Sequence, residues 1–301
     1  MRRPQPLPGS LPHAFTVARA DIAGVKRARL RASDLARPFH GTRSVGELTD
    51  RERLRLLLDV LPQHALACRT TAAAVLGLPL PWRLERDAFA RPEIAVPAPA
   101  NRIRRPEVRG SALRMGPGDV MTRDGIRLTS PARTWLDLSA VLSVPQLVAV
   151  TDRLIGRRRP LLAVDELLAM STANQHAAGA ARRAEALVLA DAGSESPRES
   201  ELRVLLVSGG LPAPEANVVI YDGARFVARV DLLFRAARVV AEYQGDHHRD
   251  RTQWSRDEIR RAELESLGYR VTYVTARDFD RPDVLVARIR RLLSAAPPRS
   301  A

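Results

Sequence analysis

The chain of 301 residues contains one cysteine, Cys68, and aromatic residues make up only 4% of it. A lone thiol excludes an internal disulfide and any zinc cluster built on cysteines. No run of residues approaches the roughly 18–20 apolar positions of a membrane span. The opening Met1 to Ser10 carries arginines with no apolar segment behind them, so it does not read as a secretory leader. These absences predict a cytoplasmic protein with no membrane partner. Lysine is also scarce, since nearly all basic residues are arginine. What the chain has in excess is positive charge, a formal +14 from 48 basic and 34 acidic residues. That excess is uneven: residues 1–193 hold 30 basic and 18 acidic residues, and residues 194–301 hold 18 arginines and 16 acids. A GC-rich genome accounts for arginine in place of lysine but not for surplus charge, which suits a polyanion. The length accommodates two or three small domains, and an apolar fraction of 45% supports globular folding.

The most informative stretch runs from Val227 to His248. Arg225 to Phe234 is apolar and β-branched enough to be a strand, Arg238 to Tyr243 reads the same way, and Arg235-Ala236-Ala237 is short enough to connect them tightly. In that hairpin Asp231 and Glu242 come to neighbouring positions at one sheet edge. Two carboxylates so close repel each other unless a cation lies between them, and oxygen-only ligands favour Mg²⁺ or Mn²⁺. That is the chemistry of metal-assisted phosphodiester hydrolysis. Upstream, Ser196-Pro197-Arg198-Glu199 opens a helix, and Ser196 with Glu199 also satisfies a capping box. A strand from Ala216 to Tyr221 and an Asp222-Gly223 turn follow. Beyond the hairpin, Trp254 to Leu267 reads as a helix, Tyr269 to Val274 as a strand and Pro282 to Leu293 as a helix.

This order, with Glu199 on the first helix, Asp231 on one strand and Glu242-Tyr243-Gln244 on the next, resembles the PD-(D/E)xK nuclease superfamily. More closely, it is similar to the family related to very-short-patch-repair endonucleases. His247-His248, Arg256-Asp257 and Leu267-Gly268-Tyr269 belong to the match, which covers about residues 194–295. The resemblance implies a restriction-endonuclease-like αβββαβ core with Glu199, Asp231 and Glu242 as metal ligands, and His248 or His247 as a proton acceptor. One position departs from it: the superfamily's lysine, two residues after the second acid, is Gln244. A glutamine orients water or phosphate by hydrogen bonds but supplies no charge.

Towards the other end, Phe15 to Ala23 reads as a short helix, Gly24 as a turn, Lys26 to Leu35 as a second helix and Arg37 to Arg43 as a short hairpin. That layout is a winged helix-turn-helix, with Lys26, Arg27, Arg29 and Arg31 on the DNA-reading helix. Further on come a buried-helix pattern at Leu54 to Leu58, strands at Glu93–Val96 and Val108–Met115, and helices at Val144–Leu154 and Ala163–Met170. Ser130 is placed to cap a helix beginning at Pro131. Thr129, Arg133 and Asp137 read as a buried polar network. The segments Arg69 to Pro79 and Leu128 to Leu138 resemble AbiEi-type antitoxins and regulators, which implies operator-DNA binding and a possible cognate toxin or other protein partner.

The expected fold class is therefore a multidomain α/β (α+β) chain. It has a winged helix-turn-helix at 1–46, a mixed middle domain at 47–192 ending in a long linking helix from Asn174, and a nuclease-like domain at 193–301. The expected function is a Mg²⁺- or Mn²⁺-dependent DNA endonuclease with a basic DNA-binding region. The alternative is an antitoxin-like transcriptional regulator whose nuclease-like domain is inactive.

Overall fold

A computed structural model describes residues 5–245 and 251–295, a mixed α/β chain with eleven helices and three sheets among them. It divides into two compact units, Met1–Leu138 and Ser139–Ala301.

The first unit opens with β1 (Ala14–Thr16), α1 (Val17–Ile22) and β2 (Thr42–Ser44), with β1 and β2 antiparallel. The helix expected from Phe15 starts late because Thr16 caps it, accepting from the Arg19 backbone N–H at 3.1 Å. The second expected helix, Lys26 to Leu35, is absent: only Arg29–Arg31 form a single 3-10 turn. The reason lies in the apolar spacing. Val25, Leu30 and Leu35 all enter the same small core, yet residues five apart stand about 140° apart on an α-helix, so no helix brings all three to one side. The rest of the unit is α2 (Asp50–Leu58), β3 (Leu66–Ala67), α3 (Arg69–Leu76), α4 (Trp82–Ala90), β4 (Glu93–Pro97), β5 (Arg109–Leu113), β6 (Val120–Arg123), β7 (Ile126–Thr129) and α5 (Pro131–Leu138). The sheet order is β5-β4-β3-β7-β6, with β3–β7 and β4–β5 parallel.

The Arg69-Thr70-Thr71 motif serves this sheet. Glu93 accepts from the Thr70 backbone N–H at 3.0 Å and from its hydroxyl at 2.6 Å, and the Glu93 N–H donates to Thr71 Oγ1 at 2.8 Å. Arg133 joins Asp137 at 3.0 Å and Asp119 at 2.7 Å. Thr129 is not part of that network, for its hydroxyl pairs with Thr134 at 2.7 Å.

The second unit begins with α6 (Val144–Ile155), α7 (Val164–Ala173) and α8 (Ala180–Val188). The single long helix expected from Asn174 forms only from Ala180 to Val188, after Gly179, whose φ is +82° and where a Cβ would clash with the Ser139 carbonyl oxygen. Then follow α9 (Pro197–Ser208), β8 (Glu215–Asp222), β9 (Arg225–Phe234), β10 (Val239–Gln244), α10 (Arg251–Ser266), β11 (Arg270–Thr275) and α11 (Pro282–Ser294). Their sheet order is β11-β10-β9-β8, antiparallel except for β10–β11. One sheet face packs on α9 and α11 through Leu202, Leu206, Leu285 and Ile289, and the other packs on α10 through Leu264. Buried Asp152 on α6 holds α9 in place, accepting from Arg203 and Ser200, each at 2.7 Å.

Candidate active site

The central hairpin β9–β10 pairs Val239 with Phe234, Val240 with Leu233 and Ala241 with Leu232. The next step of that register sets Glu242 opposite Asp231, where the ladder ends. There the Asp231 side chain takes over, its Oδ2 accepting from the Tyr243 backbone N–H at 2.9 Å. On the other side of β9 the ladder pairs Ala216 with Leu232 and Val218 with Val230, leaving a break at Asn217 and Asp231. Ala216 and Leu232 belong to the core under α9 and α11, but Val218, Ile220, Ala228 and Val230 belong to the core under α10. Residues two apart on a regular strand share a face. Both strands therefore turn over at this break, where Asn217 holds a left-handed φ of +52°.

The break brings polar groups together. Asn217 Nδ2 donates to Glu199 Oε2 at 2.5 Å, and the Glu195 backbone N–H donates to the same oxygen at 3.0 Å. Arg229 donates to Asn217 Oδ1 at 2.8 Å and forms an ion pair with Glu195. The expected capping box is thus half made: Ser196 Oγ accepts from the Glu199 N–H at 3.2 Å, while the Glu199 carboxylate turns to Asn217 and Glu195 instead of the Ser196 N–H. Burial pushes the Asp231 carboxyl above the ordinary range. The Tyr243 N–H opposes that shift, and the negative charge of Glu199 adds to it. Glu242 is 5% exposed and accepts from Arg260 of α10 at 2.6 Å. Gln244, half-buried at the end of β10, pairs with Thr275 of β11 and lies two positions from Glu242, on the same strand face.

The expected ligands Glu199, Asp231 and Glu242 thus lie on α9, β9 and β10. Among the described residues, however, no three Asp, Glu, His or Cys side chains form a ready metal-binding group. His247 and His248 lie outside the described residues. Three participants were not singled out from the sequence: Glu195, Asn217 and Arg229. Arg260 lies in a charge run on α10, and charge runs on helices are usually solvated faces. Its partner is on a strand, and no local pattern reveals that pairing.

In the first unit Lys26, Arg27 and Arg31 are exposed on the irregular segment after α1. Arg29 is committed elsewhere, paired with both Asp34 oxygens at 2.7 and 2.8 Å and with the Gln5 carbonyl. Arg27 and Arg31, with Arg37, His40 and Arg43, line a groove of about 650 Å³.

No helix among the described residues is long and apolar enough to cross a membrane. No family model matches the sequence, and no solved structure matches the fold. Two relatives are the uncharacterized proteins Rv2248 and MT2308 of Mycobacterium tuberculosis, strains H37Rv and CDC 1551. Each is 31% identical over 265 residues, covering 87% of this chain and 93% of the relative. A match of that depth over nearly both lengths makes this chain a member of the family to which these two mycobacterial proteins belong.

Proposed function

We propose that the second unit is a divalent-metal-dependent DNA endonuclease and that the basic region of the first unit recruits the DNA. The observation that carries this reading is buried Asp231, beside Glu199 and next in register to Glu242, with burial and like charge both disfavouring its ionised form. A cation relieves that repulsion, and the donors are the hard oxygens that Mg²⁺ or Mn²⁺ prefers. Asp231 and Glu199 would hold the ion, with Glu242 completing the set in exchange for Arg260. Bound there, it would polarise a phosphate and lower the pKa of a water. Around it the chain's own groups orient and neutralise: Gln244 directs water or phosphate by hydrogen bonding, and Arg260 supplies the charge that Gln244 lacks. Lys26, Arg27 and Arg31, exposed on the first unit, attract phosphate without a recognition helix.

A regulator with an inactive nuclease-like domain is the second reading, favoured by Gln244 and by the hold of Arg260 on Glu242. One experiment separates the two: purified protein is incubated with plasmid and linear DNA in Mg²⁺, Mn²⁺ or EDTA. Cleavage with either metal, none in EDTA, and loss of cleavage in folded Asp231→Ala and Glu242→Ala are the expected results. Binding without cleavage in either metal decides for the regulator.

A further inference from the structure

A second cleft adjoins the carboxylates. It lies wholly within the second unit, has a volume of about 600 Å³, and runs between the loop after α6 and the β8–β9 hairpin. Five arginines line it, Arg153, Arg157, Arg158, Arg159 and Arg229, against two carboxylates, Asp152 and Glu195. Asp152 is already matched by Arg203. Glu195 is shared between Arg158 at 3.3 Å and Arg229. Arg157 and Arg159 are exposed and make no ion pair among the described residues. A cleft with that imbalance holds counter-anions. Its floor is wired to the candidate site, since Arg229 donates to Asn217 and both Asn217 and the Glu195 N–H donate to Glu199.

The hairpin carries a second, independent feature. Val219, which lines the cleft, lies on the side of β8 away from buried Ile220. Beyond it Tyr221 and Phe226 are both 58% exposed, and their rings meet edge to face at 6.2 Å. Two exposed aromatic rings are unusual in a chain with so few. Base stacking on such rings is sequence-tolerant, and it requires bases that are not already stacked in a duplex.

We infer that this cleft is the track for an unpaired nucleic-acid strand, with phosphates held by Arg157, Arg159 and Arg229 and bases stacked on Tyr221 and Phe226. The inference rests on the proposed nuclease reading for its meaning, but its test does not need catalysis. Glu195 acts as a placeholder anion: a phosphate entering the cleft takes its place on Arg158 and Arg229. The strand's next phosphate then lies towards Asp231 and Glu199.

The test is fluorescence anisotropy of the full chain in EDTA, so that nothing is cut, with a labelled 20-nucleotide single strand and a duplex of the same length. All proteins carry Arg27→Ser, Arg31→Ser and Arg37→Ser, which takes the exposed arginines out of the basic groove of the first unit and weakens it as a competing site. In this background the single strand is expected to bind more tightly than the duplex. Arg157→Ser with Arg159→Ser should weaken it about tenfold and flatten the dependence of log K on log salt by up to about 1.4, two contacts at roughly 0.7 each. Tyr221→Ala with Phe226→Ala should weaken the single strand by a similar factor with the salt slope unchanged. Arg157→Glu with Arg159→Glu is the stronger version on the same exposed positions, and circular dichroism checks that each variant is folded. Single-strand affinity and slope unmoved in the folded arginine variants would overturn the track. Equal losses for single strand and duplex in the aromatic variant would overturn the stacking. If arginine variants lose binding while no protein ever cuts, the track stands and the nuclease reading falls. If they cut and bind undiminished, the reverse holds.

Discussion

Each unit buries carboxylates near an arginine, and the two arrangements differ in what balances the charge. In the first unit Arg133 bridges Asp119 and Asp137 and also donates to the Arg114 carbonyl at 2.7 Å. Burial pushes the Asp137 carboxyl up, but Arg133 and then Arg69 pull it back; its Oδ2 has no hydrogen-bond partner among the described residues, yet both cations act on it. In the second unit burial also pushes Asp231 up, but its nearest opposition is a neutral backbone N–H, and the third influence is another negative charge. Arg260 and Arg229, both within electrostatic reach of Asp231, are paired with Glu242 and Glu195. The first arrangement supplies its own cation. The second gives Asp231 no ion pair of its own among the described residues, and on the reading proposed above a bound metal would supply the rest of the balance.

The sharpest way to break that contrast is to remove the cation from the first cluster. Arg133→Ala leaves two buried carboxylates unbalanced and should cost about 3–5 kcal/mol of stability. Chemical denaturation followed by circular dichroism reads it, and a loss below about 1 kcal/mol would make the cluster a bystander. For the second cluster the effect should run the other way and depend on metal. Mg²⁺ or Mn²⁺ at about ten times its dissociation constant should stabilise the wild type by roughly 1.4 kcal/mol. Asp231→Asn and Glu199→Gln should abolish that increment, as thermal melts with and without EDTA would show. An equal metal response in wild type and Asp231→Asn places the ion elsewhere.

A smaller effect is expected from pH. The folded-state pKa of Asp231 is raised, so its ionised form costs stability above that pKa, and the cost is relieved as pH falls towards the unfolded-state value. Asp231→Asn, which can still accept from the Tyr243 N–H, should therefore melt above wild type at pH 7 in EDTA. Its advantage should shrink on acidification, and a constant or growing advantage would contradict the burial argument. Least affected of all should be Cys68, buried with its thiol pushed up to about 12 mainly by desolvation. It should stay inert to a thiol reagent at pH 8 until the chain is unfolded.

Much of the second unit was legible in its sequence, because its strands carry runs long enough to show themselves. The strand read at Arg225–Phe234 is β9, and the helices and strands after it fall within a few residues of their expected bounds. The carboxylate pair followed from the hairpin alone, since a short link between two readable strands fixes their register. The first unit hid more. Leu66–Ala67 is a two-residue strand with no period to detect. The spacing of Val25, Leu30 and Leu35 imitates helix content without its geometry. In the second unit the hold of Arg260 on Glu242 crosses from helix to strand. Nor does any local signal mark the left-handed backbone at Asn217, although asparagine is among the residues that adopt it most readily.

That residue has a consequence for how this site can change over generations. Its backbone lets β8 change faces, and its amide links Glu199 to Arg229. Glycine could inherit the first task but not the second, and glutamine the second only at the cost of the first. Selection on either task is therefore selection on both. A lineage that loses the asparagine has to rebuild the turn-over of β8 and β9 and the wiring of its carboxylate in the same step.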